Sequence, residues 1–515
     1  MINIPRKSQF KYWYSLVIGL IILVIFPLIC WNYASKITLW GDEAFSLVNA
    51  TDNWTWIPND VHLPTYYWLL NKILNLVDLE RELLLRMVHV LPMVIGLIFG
   101  ILLVRRIFNQ PHWLILVSAL AVTLPNYIFY ATNIRMYSLL FATTMMFIDA
   151  VSRILESETH PSKLLLFWLF FSSCLSILAD YSGAIYYLAG VVFILVRAIV
   201  IKSYQPLLAI LTPSLLLLYL AYESISNIQA IAQWDIQGSQ GLKWQGLMDF
   251  VKWLYLACRP ALDLIYPASL PTVLALLLPL LWLAWLAYAV VKFFLHSKIA
   301  SHSSYWLLVI AMLWVPFIPT GYSFTRLFLP SQFLMIVLIT WSIFNSTSQI
   351  VKFIGTMSLG LLLLINLQQA IHPTLRLYNL IPYEEIARDI IHYSKTQNIN
   401  RVFMSDRSLN TLSIELYLQQ GDRPENINVN RVNTVELTDS ISELKTNRFL
   451  FVSHMQENND FVNLEKIVPG QAQLLKGYTA LEELPYNRIW KQRILDRGSQ
   501  PYAIQLYTVS VTSNQ

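Results

Sequence analysis

Residues 12–32 read Tyr-Trp-Tyr-Ser-Leu-Val-Ile-Gly-Leu-Ile-Ile-Leu-Val-Ile-Phe-Pro-Leu-Ile-Cys-Trp-Asn, without a single charge. A helix that crosses a bilayer needs about 20 mostly apolar residues, and this stretch supplies them. No small-x-small cleavage site follows it, only Trp31-Asn32-Tyr33, so it reads as a retained anchor and not as a cleaved leader. Ten further stretches have the same character, at about 84–104, 111–131, 134–152, 164–181, 183–201, 205–222, 271–295, 304–322, 326–345 and 351–371. The expected fold is therefore a polytopic α-helical membrane protein of about 11 spans.

The composition agrees. Of the 515 residues, 56% are apolar and only 13% are charged, about half the charge of an ordinary soluble chain. The mean hydropathy is +0.50. A soluble protein of this length could not bury so much apolar surface, and a disordered chain or coiled coil would carry far more charge. A pI near 8.8 need not signal nucleic acid, because membrane proteins concentrate Lys and Arg in inner loops. Cys30, Cys174 and Cys258 have neither metal-like spacing nor a disulfide framework. Cys30 and Cys174 fall in apolar runs and read as small packing residues.

The charge is uneven. Residues 372–515 hold 31 of the 67 charged residues, so the chain divides near His372-Pro373 into a membrane domain, 1–371, and a water-soluble domain, 372–515. In the tail, Pro382–Thr396 and Thr411–Gln420 read as helices, the second ended by Gly421. Arg401–Ser405, Arg448–Ser453 and Tyr502–Val511 read as strands. The expectation is a small α/β domain, and with no Gly-rich phosphate loop it offers no nucleotide site.

Orientation follows from the basic residues of short loops. Arg6, Lys7 and Lys11 precede the first span, and Arg105, Arg106, Arg153, Lys163, Arg197, Lys202, Lys292, Lys298 and Lys352 recur on the same side, which is then cytoplasmic. Outer loops are expected at 33–83 and 223–270. The first carries Asp42, Glu43, Asp52, Asp60, Asp78, Glu80 and Glu82. An odd number of spans places the soluble domain on the same outer side. Residues 64–77 and 242–256 read as amphipathic helices lying at the interface, where Trp and Tyr prefer to sit.

Three outer segments could carry chemistry. Leu39-Trp-Gly-Asp42-Glu43-Ala44 sets adjacent carboxylates between the apolar bulk of Trp40 and Phe45. Desolvation of this kind is how proteins make a carboxylate into a usable general base, although most Asp-Glu pairs are simply solvated. Asn59-Asp60-Val-His62-Leu-Pro64 adds a carboxylate and an imidazole, either as a helix entry or as a group that binds a divalent cation or orients a phosphate. Asn133-Ile-Arg135-Met-Tyr137-Ser138 and Tyr322-Ser-Phe-Thr-Arg326-Leu-Phe-Leu-Pro330 place arginines on the outer side, against the inner-side bias. An arginine at a boundary can snorkel to headgroups, or it can fork onto a phosphate.

Together these segments resemble the protein O-mannosyltransferases and their bacterial relatives, the glycosyltransferase-39-like group of the GT-C superfamily. Asp42-Glu43 resembles the Asp-Glu motif of their first outer loop. Asp60-Val-His62-Leu63-Pro64 is similar to their Asp-Val-His-Pro-Pro, with Leu63 in place of the first Pro. Arg135-Met-Tyr137-Ser-Leu139 and Arg326-Leu-Phe-Leu-Pro330 resemble two further family segments. The match runs in order over about residues 10–345. The tail resembles the divergent outer domain of some bacterial members.

The resemblance implies an inverting transferase of the bacterial inner membrane, with its N-terminus cytoplasmic and its active site and C-terminal domain outside. The donor would be a polyprenyl-phosphate-linked sugar, and the acceptor a hydroxyl on a lipid, glycan or protein. It implies Asp42 as general base and Arg326 with Arg135 at the departing phosphate. Glu43, Asp60, His62 and Tyr137 would orient substrates, and a divalent cation on Glu43, Asp60 and His62 is the candidate cofactor. No nucleic acid is expected as partner. Two other classes compete. A transporter or lipid flippase would show repeated halves and midplane ionisable groups, but no repeat is visible, and Asp149 and Asp180 fall near span ends. A membrane-anchored binding protein would use only the tail.

Overall fold

With no water in a bilayer core, each backbone amide must be satisfied within the chain, and the apolar stretches accordingly form helices. The structure is a computed structural model that describes residues 6–39, 41–51, 63–77, 81–108, 112–157, 160–223, 272–295, 302–316, 325–371, 383–405, 409–420, 427–432, 448–454, 472–479 and 503–510. The helices are α1 (Arg6–Leu20), continued through a π turn into α2 (Phe26–Ala34), α3 (Gly41–Thr51), α4 (Pro64–Leu74), α5 (Glu82–Phe108), α6 (His112–Thr123), α7 (Pro125–Thr132), α8 (Tyr137–Glu156), α9 (Lys163–Ala179), α10 (Gly183–Ile201), α11 (Gln205–Glu223), α12 (Thr272–Leu295), α13 (His302–Ala311), α14 (Leu329–Phe344) and α15 (Gln349–Ile371).

Helix occurs at all eleven apolar stretches, yet six helices among the described residues are long and apolar enough to cross a membrane. Joining α6 to α7, which are bent by 56° at their break, makes up to seven. Further apolar helices, over the described residues, are Lys163–Ala179, Gln205–Leu220 and Leu280–Leu295. Lys163–Ala179 has 17 residues and so reaches only about 25 Å, short of the roughly 30 Å hydrocarbon core. The α6–α7 break follows from Pro125: a residue before proline avoids the helical region, and Leu124 is extended at φ −63° and ψ 124°. The chain is a multi-pass membrane protein.

The chain divides into two compact units, Met1–Ser35 with Asn53–Leu375, and Lys36–Asp52 with Arg376–Gln515. In the first, Arg326–Phe344 is 89% buried and Tyr137–Glu156 is 83% buried, against 22% for Gln349–Gln368, so α14 and α8 form the centre and α15 the rim. The exposed Ile350, Phe353, Met357, Leu361 and Leu364 of α15 recur at helical spacing, a stripe suited to lipid. Helices α5 and α8 run side by side in the same direction. A Cβ on Gly96 would stand 2.5 Å from the Phe141 ring and 3.0 Å from the Ala142 backbone, so the absence of a side chain sets this approach.

The second unit holds α3, α16 (Tyr383–Gln397), β1 (Arg401–Ser405), α17 (Leu409–Gln420), β2 (Asn428–Val432), β3 (Arg448–His454), β4 (Ala472–Thr479) and β5 (Ala503–Ser510). The sheet order is β2-β1-β3-β5-β4. Strand β1 is parallel to β2 and β3, and β5 is antiparallel to β3 and β4. Arg431 of β2 grips Glu415 of α17 at 2.5 and 2.7 Å. Lys476 and Tyr478 of β4 bond Asp389 of α16 at 2.7 and 2.6 Å. The α/β expectation holds. Strands β2 and β4 carry too many polar residues, Asn-Val-Asn-Arg-Val and Ala-Gln-Leu-Leu-Lys-Gly-Tyr-Thr, to read as strands by apolar pattern. The 242–256 helix and Cys258 lie outside the described residues. Cys30 is buried and Cys174 half-buried, both free.

Replacing Gly96 by valine should wedge α5 from α8 and cost about 1–3 kcal/mol, read as a lower melting temperature of the detergent-solubilised chain. An unchanged melting temperature would show that the Gly96–Phe141 approach is not tight.

Candidate functional site

Helix α3 begins at Gly41, which puts Asp42 and Glu43 in its first turn. Carboxylates complement the unpaired amides and the positive end of the helix dipole there, which offsets part of the cost of removing charge from water. The two acids differ in their surroundings. Glu43 is fully buried with Ala44, Ser46, Leu47 and Ala50, a helical stripe by which α3 packs against α17. Asp42 lies at the edge of that stripe and is only half-buried. Of the pair, Asp42 is therefore the one a substrate hydroxyl could reach. Trp40, Asp60 and His62 lie outside the described residues. Helix α4 starts at Pro64, as expected of proline in a first turn, and Tyr66 fixes it to α5: His89 Nδ1–H donates to the Leu85 carbonyl at 2.8 Å, so His89 Nε2 accepts from the Tyr66 hydroxyl at 2.9 Å.

In the first unit, the structure brings Arg326 to Tyr137. The guanidinium lies 5.3 Å from the ring centroid, within cation–π range. Arg135 precedes Tyr137 by two residues and is 4% exposed. It sits in the short non-helical link between α7 and α8, since α8 begins at Tyr137 and not at 134 as expected. Asn133, in the same link, is 1% exposed, and among the described residues neither atom of its amide nor the Ser138 hydroxyl has a hydrogen-bond partner. Buried polar groups in this state call for a ligand or water. Arginine, amide and hydroxyl donors gathered in a buried link suit an anion such as phosphate.

Sequence reading missed the residues that hold this place. Arg86 of α5, wholly buried, bonds Glu82 at 2.7 Å and donates to the Thr132 carbonyl at 3.0 Å, capping α7 where the link begins. Tyr127 donates to the Leu329 carbonyl at 2.8 Å and Tyr186 to the Leu327 carbonyl at 2.9 Å. These phenols clamp the 3-10 turn Thr325–Phe328 that carries Arg326. An arginine and two tyrosines inside apolar runs were the available signal, because buried polar groups must be bonded to something.

Asp149 is buried, and Arg106 at 2.6 Å and Arg153 at 2.7 Å occupy its two oxygens. Arg106 also binds Glu156 at 2.8 Å. Asp180 accepts from the Ser182 amide at 2.9 Å. Both acids are tied into helix ends and are not poised as carrier groups. Among the described residues no three His, Cys, Asp or Glu side chains gather as a cation would require, so these residues alone do not form a metal site.

No family model matches the sequence, and no curated protein matches it. Solved structures do. The chain superposes on ArnT from Cupriavidus metallidurans in the apo state with a TM-score of 0.50 at 11% identity, covering 96% of this chain and 98% of that one. ArnT from the same organism bound to undecaprenyl phosphate gives 0.47 at 12% identity over the same shares.

Substituting Arg86 by methionine should leave the Thr132 carbonyl and Glu82 without their cation. The expected loss is about 2–4 kcal/mol, with Glu82 softened by its partial exposure, measured by thermal unfolding in detergent. A variant as stable as the parent would refute the capping role. By its architecture, helices first and a small sheet domain last, the chain has an ArnT-like fold.

Proposed function

We propose that the protein is an inverting glycosyltransferase of the bacterial inner membrane, which moves a sugar from a polyprenyl-phosphate-linked donor to an acceptor hydroxyl on the outer face. The observation that carries this reading is the donor set of the helical unit: Arg326 against Tyr137, with buried Arg135, Asn133 and Ser138 beside it. The ArnT-like fold and the four family-like motifs support it. The lack of a Gly-rich loop fits a donor that is not a nucleotide sugar.

Asp42 takes the proton of the acceptor hydroxyl as the oxygen attacks the anomeric carbon. The bond from that carbon to the phosphate oxygen breaks, and the polyprenyl phosphate leaves with the electron pair. Arg326 and Arg135 stabilise the phosphate. A single in-line displacement inverts the anomeric centre. Tyr137 orients Arg326 through its ring, and Glu43, Asp60 and His62 orient the substrates. The acceptor is a lipid, an envelope glycan or a protein.

The transporter reading is weaker, because the buried acid Asp149 is already paired with two arginines.

Membranes containing the chain are given radiolabelled undecaprenyl-phosphate hexoses and pentoses, with envelope extract as acceptor. Transfer of one of them is expected. Asp42→Asn should lower the rate roughly 10²–10⁴-fold, and Arg326→Ala roughly 10²–10³-fold. Full activity of Asp42→Asn would remove it as the base. Counterflow of labelled donor without a covalent product would favour the transporter.

A further inference from the structure

The helix that carries Asp42 is built into the compact unit that contains the C-terminal sheet, although about 330 residues separate the two in sequence. Helix α3 buries Glu43, Ala44, Ser46, Leu47 and Ala50 and packs against α17. A buried hydrogen bond ties the backbone at its start. The amide of Leu39, three residues before Asp42, donates to the phenol oxygen of Tyr417 at 2.8 Å. Leu39 is wholly buried and Tyr417 is 8% exposed, so water does not compete for either partner. Residues ahead of a helix lack intrahelical partners for their amides, and a buried side-chain acceptor there helps to set where the first turn begins. The Ser46 hydroxyl then bonds the Asp42 carbonyl at 3.1 Å, which secures the same turn from the other side.

We infer that Tyr417 is a positioning residue for Asp42: its phenol anchors the backbone just ahead of α3 and so holds the carboxylate in register for proton transfer. The C-terminal domain then serves the chemistry directly. This rests on Asp42 being the base. A base must lie within hydrogen-bond reach of the proton it takes, and displacements of about 1 Å cost roughly 10²-fold in rate. Loosening this anchor should therefore lower the turnover number and leave binding alone.

The test uses the full-length chain in membranes, with the undecaprenyl-phosphate sugar that the wild type consumes in the panel above. Tyr417→Phe keeps the ring and removes the acceptor. The expected result is a drop of about 5–50-fold in kcat, a fraction of that misplacement cost, with KM for the donor unchanged. Amide hydrogen exchange should quicken over Leu39–Ser46 and not over β1 or β3. Glu415→Gln, which breaks the Arg431 pair on the exposed side of the same helix, separates positioning from general destabilisation and should leave kcat as in the wild type. In an Asp42→Asn background, Tyr417→Phe should cause no further loss, because it acts through that carboxylate.

A wild-type kcat in Tyr417→Phe beside an inactive Asp42→Asn would overturn the positioning role and leave the base assignment standing. Equal losses in Tyr417→Phe and Glu415→Gln would reduce Tyr417 to a structural residue. Full activity in Asp42→Asn would remove the base and this inference with it. If Tyr417→Phe does not accumulate, Leu39→Pro, which deletes the donor amide instead, gives the same comparison.

Discussion

A backbone carbonyl or amide buried at a break in helix must find a partner, and side chains supply it at the breaks in both units of the molecule. Where α7 stops, Arg86 takes the Thr132 carbonyl. Where the chain re-enters helix at α14, Tyr127 and Tyr186 donate to the carbonyls of Leu329 and Leu327 and so hold the entering turn. Where α3 starts, Tyr417 takes the amide of Leu39. Each of these breaks carries a residue able to do chemistry: Arg135 after α7, Arg326 before α14 and Asp42 at the start of α3. Regular helix fills the apolar core, and the interruptions, each tied by a buried polar side chain, hold the residues to which the proposed function assigns roles.

That arrangement also divides the labour. The helical unit supplies cations in a buried, donor-rich link, suited to a phosphate. The unit with the sheet supplies a pair of carboxylates of unequal exposure, Glu43 fully buried and Asp42 half-buried. Glu43 is buried where α3 packs on α17, so Asp42 is the more accessible of the two and the one proposed as proton acceptor. The C-terminal ends of α5 and α8 are joined by the Arg106, Asp149, Arg153 and Glu156 network, at the other end of α8 from Tyr137.

Much of this was legible in the sequence, because apolar run length depends on composition alone. Every apolar stretch contains helix, and β1 begins and ends where expected, at Arg401 and Ser405. What composition could not supply was length against thickness. Lys163–Ala179 is apolar but short, and Pro125 breaks a stretch that reads as one span into two bent pieces. The motifs located Asp42, Arg135, Tyr137 and Arg326. They did not reveal Arg86, Tyr127, Tyr186 or Tyr417, whose partners lie 46, 202, 141 and 378 residues away. Such pairings depend on tertiary approach, and neither local pattern nor periodicity encodes them. The association of α3 with the tail was hidden for the same reason: a sequence boundary drawn at His372 follows charge, while the fold joins residues across it.

The most direct test of the central claim is mass spectrometry of envelope glycolipids, glycans and proteins from a strain that lacks this chain, complemented with the wild type or with Asp42→Asn. The expected result is one sugar missing from one acceptor, restored by the wild type and not by the variant, together with accumulation of its polyprenyl-phosphate donor. An envelope with every sugar in place would contradict the claim that the protein is a glycosyltransferase.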